Sequence, residues 1–183
     1  MCSFAIPGDM PTDCRLDAGG ALAFTGAPLA QPLDILGQPK VTLRLTADQP
    51  QAMVAVLLID QAPDGAQTLI TRGFANLTHR HSDTAPMPVM PDEAMDITVS
   101  LHGIGYRVAA GHCIVVQVAS AYWPILWPSP TPVTLSMQSG SSALHLPVRG
   151  AVDAPEPRHL PEPDRPKIKR PVTKLRDGSM ERS

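Results

Sequence analysis

Proline recurs along the whole of this chain, 21 times in 183 residues. Each proline fixes φ and removes a backbone donor, so a helix interior cannot hold one without kinking or breaking. The gaps between prolines are filled by Val, Leu, Ile and Thr in short runs, with glycine at the turns. Residues 1–150 contain a single lysine, Lys40, and a single glutamate, Glu93. Surface helices normally draw on both residue types. A chain that excludes long helices and is rich in short β-branched runs is expected to be all-β.

The runs can be placed individually. Val41-Thr42-Leu43-Arg44-Leu45-Thr46 alternates strictly, which turns Val41, Leu43 and Leu45 to a buried face. Residues 52–59 (AMVAVLLI) are continuously apolar, as a central strand covered on both sides would be. Pro63-Asp64-Gly65 is a turn signal, and residues 68–72 (TLITR) then run back to complete the clearest hairpin. Residues 96–101 and 113–118 are good strands, with bends expected at 102–106 and 109–111. Residues 133–137 and 142–148 alternate again, and 21–24 is a shorter candidate. About eight strands over 130 residues, at this spacing, point to a sandwich or jelly roll, with an up-and-down barrel as the alternative.

The composition shifts near Gly150. Residues 151–183 carry 14 of the 32 charged residues and six prolines, with sparse apolar residues and no period. Such a segment buries too little surface to offset its ordering entropy. The expected organisation is therefore a β-sandwich domain over 1–150 and an irregular, extended or disordered Pro-rich tail over 151–183.

Charge and cysteine usage exclude several function classes. Fifteen Lys and Arg against 17 Asp and Glu give a net charge of −2, the wrong sign for displacing counterions from nucleic acid. No run approaches the ~18 apolar residues of a membrane span, and the N-terminus lacks a signal-peptide pattern. Cys2, Cys14 and Cys113 are too few for a disulfide framework, which makes a reducing, cytoplasmic setting the expectation.

The usual catalytic arrangements are also missing. There is no G-x-S-x-G elbow, and serines such as Ser129 and Ser142 stand in turns, where their hydroxyls replace backbone partners. His112 and Cys113 are adjacent, so in a strand they face opposite sides and cannot form a nucleophile–base pair. Cys113 then reads as a small buried hydrophobe. His79 and His81 form an H-x-H whose side chains would share a face of a strand, but spacing supplies no third metal ligand. They read as surface residues flanking Arg80. No catalytic residue, metal site or cofactor site is expected.

The most distinctive segment is Ala121-Tyr122-Trp123-Pro124-Ile125-Leu126-Trp127-Pro128-Ser129-Pro130. It concentrates three of the seven aromatics between three prolines, which makes it a stiff inter-strand loop. Trp123 and Trp127 could stack on a sugar, insert into another domain, or cap the end of the sandwich. Tyr122, Trp123 and Trp127, with His79 and Arg80, are the candidate contact surface.

Several segments together carry a resemblance. They are residues 21–30 (ALAFTGAPLA), 34–37 (DILG), 41–45 (VTLRL), Asp60 with Pro63-Asp64-Gly65, Thr71-Arg72-Gly73, residues 76–80 (NLTHR), Gly111-His112, and above all 120–130. In this order they resemble the C-terminal domain of the CocE/NonD hydrolases, the group that includes Xaa-Pro dipeptidyl-peptidases and acyl esterases, over roughly residues 4–149. The resemblance implies a jelly-roll β-sandwich similar to galactose-binding domains. It also implies that nucleophile, acid and base belong to a separate α/β-hydrolase domain, on which the sandwich packs and whose cleft it helps to shape. The chain by itself is then expected to be inactive, with that hydrolase domain as its partner; homo-oligomerisation is left open. The family usually has Arg or Lys soon after Gly-His, where this chain has Cys113-Ile114-Val115. The alternative function is a free-standing carbohydrate-binding module that uses Trp123 and Trp127.

Overall fold

The computed structural model describes residues 13–15 and 17–150. The tail expected over 151–183, and Cys2, lie outside the described residues.

The described residues form ten strands: β1 (Leu22–Thr25), β2 (Leu33–Gly37), β3 (Lys40–Ala47), β4 (Met53–Gln61), β5 (Gln67–Asn76), β6 (Met95–Ser100), β7 (Ile104–Val108), β8 (Cys113–Ala119), β9 (Leu135–Met137) and β10 (Ala143–His145). Among the described residues the helical segments are three short 3-10 turns. All strand pairs are antiparallel, and the first eight strands pair in nested fashion: β1 with β8, β2 with β7, β3 with β6, β4 with β5. This is the order in which a long hairpin rolls over on itself.

The result is a β-sandwich. One sheet runs β1-β8-β4-β5, and the other runs β10-β3-β6 with β9 also on β3. Between them lies a core of Val41, Leu43 and Leu45 from β3, Val54, Val56 and Leu58 from β4, Ile97 and Val99 from β6, and Val116 and Val118 from β8. The alternation read in β3 places its residues as expected. β4 is buried on both faces, with Ala55, Leu57 and Ile59 turned outward into a second apolar cluster. The β4–β5 turn is the expected one: Gly65 has φ +86° and Asp64 Oδ1 accepts from the Ala66 N–H at 3.0 Å.

Two strands depart from the sequence reading. Residues 102–106 were expected to bend, yet 104–108 form β7, paired with β2 as a separate two-stranded ribbon. Both are five residues long and glycine-containing, so their own β signal is weak. The cross-strand contacts are non-local: Arg107 sits opposite Asp34 and donates to it through Nε and Nη2 at 2.5 and 2.7 Å, a surface pair that adds little to the backbone ladder. Ile35 and Val108 enter the core beside it.

Gly73 shows how closely the two sheets approach. It sits in β5 opposite Val56, and a Cβ there would run into the backbone oxygen of Ser100 and the side chain of Leu101. Backbone cannot yield as a side-chain tip can, so overpacking here should cost about 1–3 kcal/mol. Gly73→Ala is therefore expected to lower the thermal midpoint by several degrees in a calorimetric scan, whereas Gly140→Ala, which meets nothing within 4 Å, should leave it unchanged.

Candidate functional site: an asymmetric sandwich and its tryptophan loop

The sandwich has two outer faces of different chemistry. On the β3–β6 face, Thr42, Arg44 and Thr46 alternate with the buried residues of β3, and Asp96, Thr98 and Ser100 are exposed on β6. Arg44 and Asp96, directly opposite one another, form an ion pair at 2.8 Å. This face is suited to water. The β4–β8 face is apolar: Ala55, Leu57, Ile59 and Val115 are buried beneath Cys14, Tyr122 and Leu126. A sheet whose central strand is apolar on both sides needs a cover on each, and residues 120–127 supply part of the second one.

The loop is built for that task. Tyr122 and Leu126 exchange backbone hydrogen bonds at 2.9 and 2.7 Å, and the Ile125 N–H donates to the Tyr122 carbonyl at 2.9 Å. The closure turns Tyr122 and Leu126 inward and leaves Trp123, Pro124 and Ile125 at the tip, with a cis Trp123–Pro124 bond. Tyr122 is buried and packs against Phe74, ring centroids 6.1 Å apart. Trp123 and Trp127 are 65% and 66% exposed, with centroids 4.8 Å apart and planes tilted by 57°. Of the three aromatics named from sequence, two form an exposed pair and the third is the post beneath them.

His79 and Arg80 belong to the neighbouring turn. His79 ends the 3-10 turn Leu77–His79 rather than lying in a strand, and its Nδ1 donates to the Ser82 carbonyl at 3.0 Å. Arg80 spends its guanidinium on three carbonyls: Nη1 on Leu77 and Met87 at 3.0 Å each, Nη2 on Pro88 at 3.3 Å. It thereby fixes residues 86–88, which form one wall of an open groove of about 610 Å³. Trp127, Pro128 and Pro130 also line that groove, and Ala52 and Met53 join them. Arg80 therefore shapes this surface indirectly, by holding Pro86 and Pro88 in place. Met87 and Met90, which the sequence reading did not single out, add exposed apolar area on the same loop.

A polar cluster closes the end of the core. The Asp60 carboxylate, buried at the end of β4, accepts from the Tyr106 hydroxyl at 2.9 Å and from His112 Nδ1 at 2.7 Å. A carboxylate can only accept, so the Nδ1 tautomer of His112 is fixed. This is the relation of an orienting acid to a base, yet among the described residues no hydroxyl is bonded to His112. The cluster instead joins β4, β7 and the entry to β8. Burial, then the hydrogen bond to Asp60 and its charge, push the Tyr106 phenol up to about 12, so it remains a neutral donor. Cys113, expected to be buried, is half-exposed at the start of β8 because that position opposes Gln61 at the sheet's end rather than its centre.

Fold and surface together define a β-sandwich module that presents an exposed apolar loop. Residues 11–157 match the family described as the X-Pro dipeptidyl-peptidase C-terminal non-catalytic domain, and the chain belongs to that family. It is 30% identical over 138 residues to a Rhodopirellula baltica protein named as an Xaa-Pro dipeptidyl-peptidase, covering 70% of this chain and 22% of the relative. It is 29% identical over 117 residues to a Mycobacterium bovis protein named as a serine esterase, covering 55% and 19%. Among solved structures, an α-amino acid ester hydrolase superposes with TM-score 0.70 at 24% identity, covering 75% of this chain and 27% of that one. A CocE/NonD family hydrolase from Staphylococcus aureus superposes with TM-score 0.58 at 12% identity, covering 70% and 30%. The chain thus spans about a fifth of the length of the curated relatives it matches. The resemblance drawn from the motifs is borne out, and the sandwich is of the non-catalytic kind.

Tyr106→Phe removes one of the two donors to the buried Asp60 carboxylate and should cost about 1–3 kcal/mol. Because folding raises the phenol above its ordinary value near 10, its contribution is complete below that value and is lost as the pH rises through about 12. Denaturant titrations across this alkaline window should show a fall in stability for the native chain, and the Phe variant should lack the part due to the phenol.

Proposed function

We propose that this chain acts as the non-catalytic β-sandwich partner of a serine hydrolase of the dipeptidyl-peptidase or acyl-esterase kind. On this reading, Trp123 and Trp127 and the adjoining groove pack on the α/β-hydrolase domain and help to shape its substrate cleft. The observation that carries it is the placement of two tryptophans, each about two-thirds exposed, at the tip of a loop whose base is pinned by Tyr122. Aromatic anchors on a rigid support suffer little loss of conformational freedom on contact, and such residues dominate interface energies. The surroundings agree: Pro124, Ile125, Pro128 and Pro130 flank the indoles, and the rings are tilted rather than coplanar. Gln51, Asn76, Thr78 and Ser129 also line the groove beside Trp127, but the tilt of the rings does not favour a sugar-stacking platform. Catalysis is then the partner's, and a cytoplasmic location fits the free thiol of Cys113.

A chimera tests the reading. This chain is joined to the Rhodopirellula relative in place of its matching C-terminal portion, and hydrolysis of an Xaa-Pro anilide and an acyl ester is measured. The chimera is expected to turn over one of them, and the double variant Trp123→Ala/Trp127→Ala to lose at least about tenfold, the scale of truncating aromatic anchors. The same double variant should shift the midpoint of the isolated chain by less than about 0.5 kcal/mol equivalent. An inactive chimera, or one indifferent to both tryptophans, would overturn the reading. So would turnover by the isolated chain that a serine-directed inhibitor blocks.

A further inference from the structure

The apolar face of the first sheet encloses a charge that has no opposite among the described residues. Arg72, in β5, is 8% exposed, and its Nη1 is fully enclosed without a hydrogen-bond acceptor. Among the described residues its one specific side-chain contact is the ring of Tyr122, whose centroid lies 5.6 Å from the guanidinium carbon. Such a cation–π contact offsets part of the cost of burying an ion, but it does not supply the counter-charge and hydrogen bonds a buried ion needs. Arg80 provides the internal comparison, since it is less buried yet donates to three carbonyls.

Four aspartates of the described residues are committed to other partners. Asp60 is held by Tyr106 and His112, Asp34 by Arg107, Asp96 by Arg44, and Asp13 by Arg15. In the same cross-strand row, Leu57 lies opposite Arg72 on one side and Gln117 on the other. Gln117 is completely buried, and its Oε1 has no partner. Two orphaned polar atoms therefore occupy one apolar face, the face that the tryptophan loop overhangs.

We propose that Arg72 is a carboxylate-recognition point on the docking face, and that its occupant is an Asp or Glu side chain of the hydrolase domain. The proposal rests on the docking reading above and names the chemistry of the partner at this point. A guanidinium is planar and delocalised, so a carboxylate meeting its exposed edge neutralises the charge on the enclosed Nη1 as well. The Tyr122 ring lies against it and Leu57 lies opposite it in the sheet, an enclosed setting that makes an ion pair there strong and selective for a correctly placed acid. An acid presented on apolar surroundings would fit; a solvated acidic patch would not.

The experiment uses the full chain with acetate as the probe, so it is independent of any hydrolase. Thermal midpoints are recorded in sodium acetate and in sodium chloride at equal ionic strength, for the native chain and for Arg72→Met. Acetate is expected to raise the native midpoint by about 3 °C more than it raises that of the variant. Should Arg72→Met fail to fold, Arg72→Gln, which keeps a donor without the charge, serves in its place. An equal response of native and variant chains, or no response in either, overturns the proposal. A negative result here leaves tryptophan docking standing, and an inactive chimera leaves a positive acetate result standing.

Discussion

A strand that is apolar on both faces cannot be satisfied by a single layer, and β4 is such a strand. From Val54 to Asp60 every residue is buried. Val54, Val56 and Leu58 require a second sheet, and Ala55, Leu57 and Ile59 require something on the other side. The first requirement is met by β3 and β6, whose alternation is strict because their far face is left to water. The second is met by pieces: Cys14 from the N-terminal side, and Tyr122 and Leu126 from the loop after β8. Everything distinctive about the surface follows from this second, irregular cover.

The two polar clusters differ in a way that separates structure from recognition. Around Asp60 every buried group has a partner: Tyr106 and His112 occupy both carboxylate oxygens, and the network ties three elements together. Enclosed polar networks specify a fold only when complete, and this one is complete. Around Arg72 the enclosure is as tight, but the partners are missing. A completed network and an incomplete one in the same small sandwich point to different jobs. The first holds the domain together, and the second waits for a group from outside it.

Much of this was legible in the residues. The double burial of β4 could be read from an unbroken run, the inward face of β3 from alternation, and the β4–β5 hairpin from Pro63-Asp64-Gly65. The tryptophan loop stood out by composition alone, and the order of the motifs pointed to the right family. The ribbon β2–β7 was not legible, because its stability is non-local: Asp34 and Arg107 are 73 residues apart and neither strand is convincing alone. The same limit hid the Tyr106 contribution to the Asp60 cluster. Tyr122 could not be told from its tryptophan neighbours, since which aromatic turns inward depends on the backbone closure between residues 122 and 126. Nor does sequence show that Arg72 lacks a partner, which is a property of its surroundings and not of its segment.

On the proposed docking reading, the asymmetry of the two faces bears on which side of the sandwich a protein partner would meet. The β3–β6 face carries threonines, a serine and an ion pair of low net value at the surface, and enclosing them would give little in return. On the opposite side, the cover over β4 and β8 is itself exposed and apolar at Trp123, Ile125 and Trp127. Such residues at a loop tip do nothing for the isolated sandwich, whose core is closed beneath them by Tyr122 and Leu126. In the docking proposal a second surface meets them, and that surface would lie over the face that also encloses Arg72. Anchor residues at the tip and an unanswered charge below are then parts of one interface, with area supplied by the indoles and register by the ion pair.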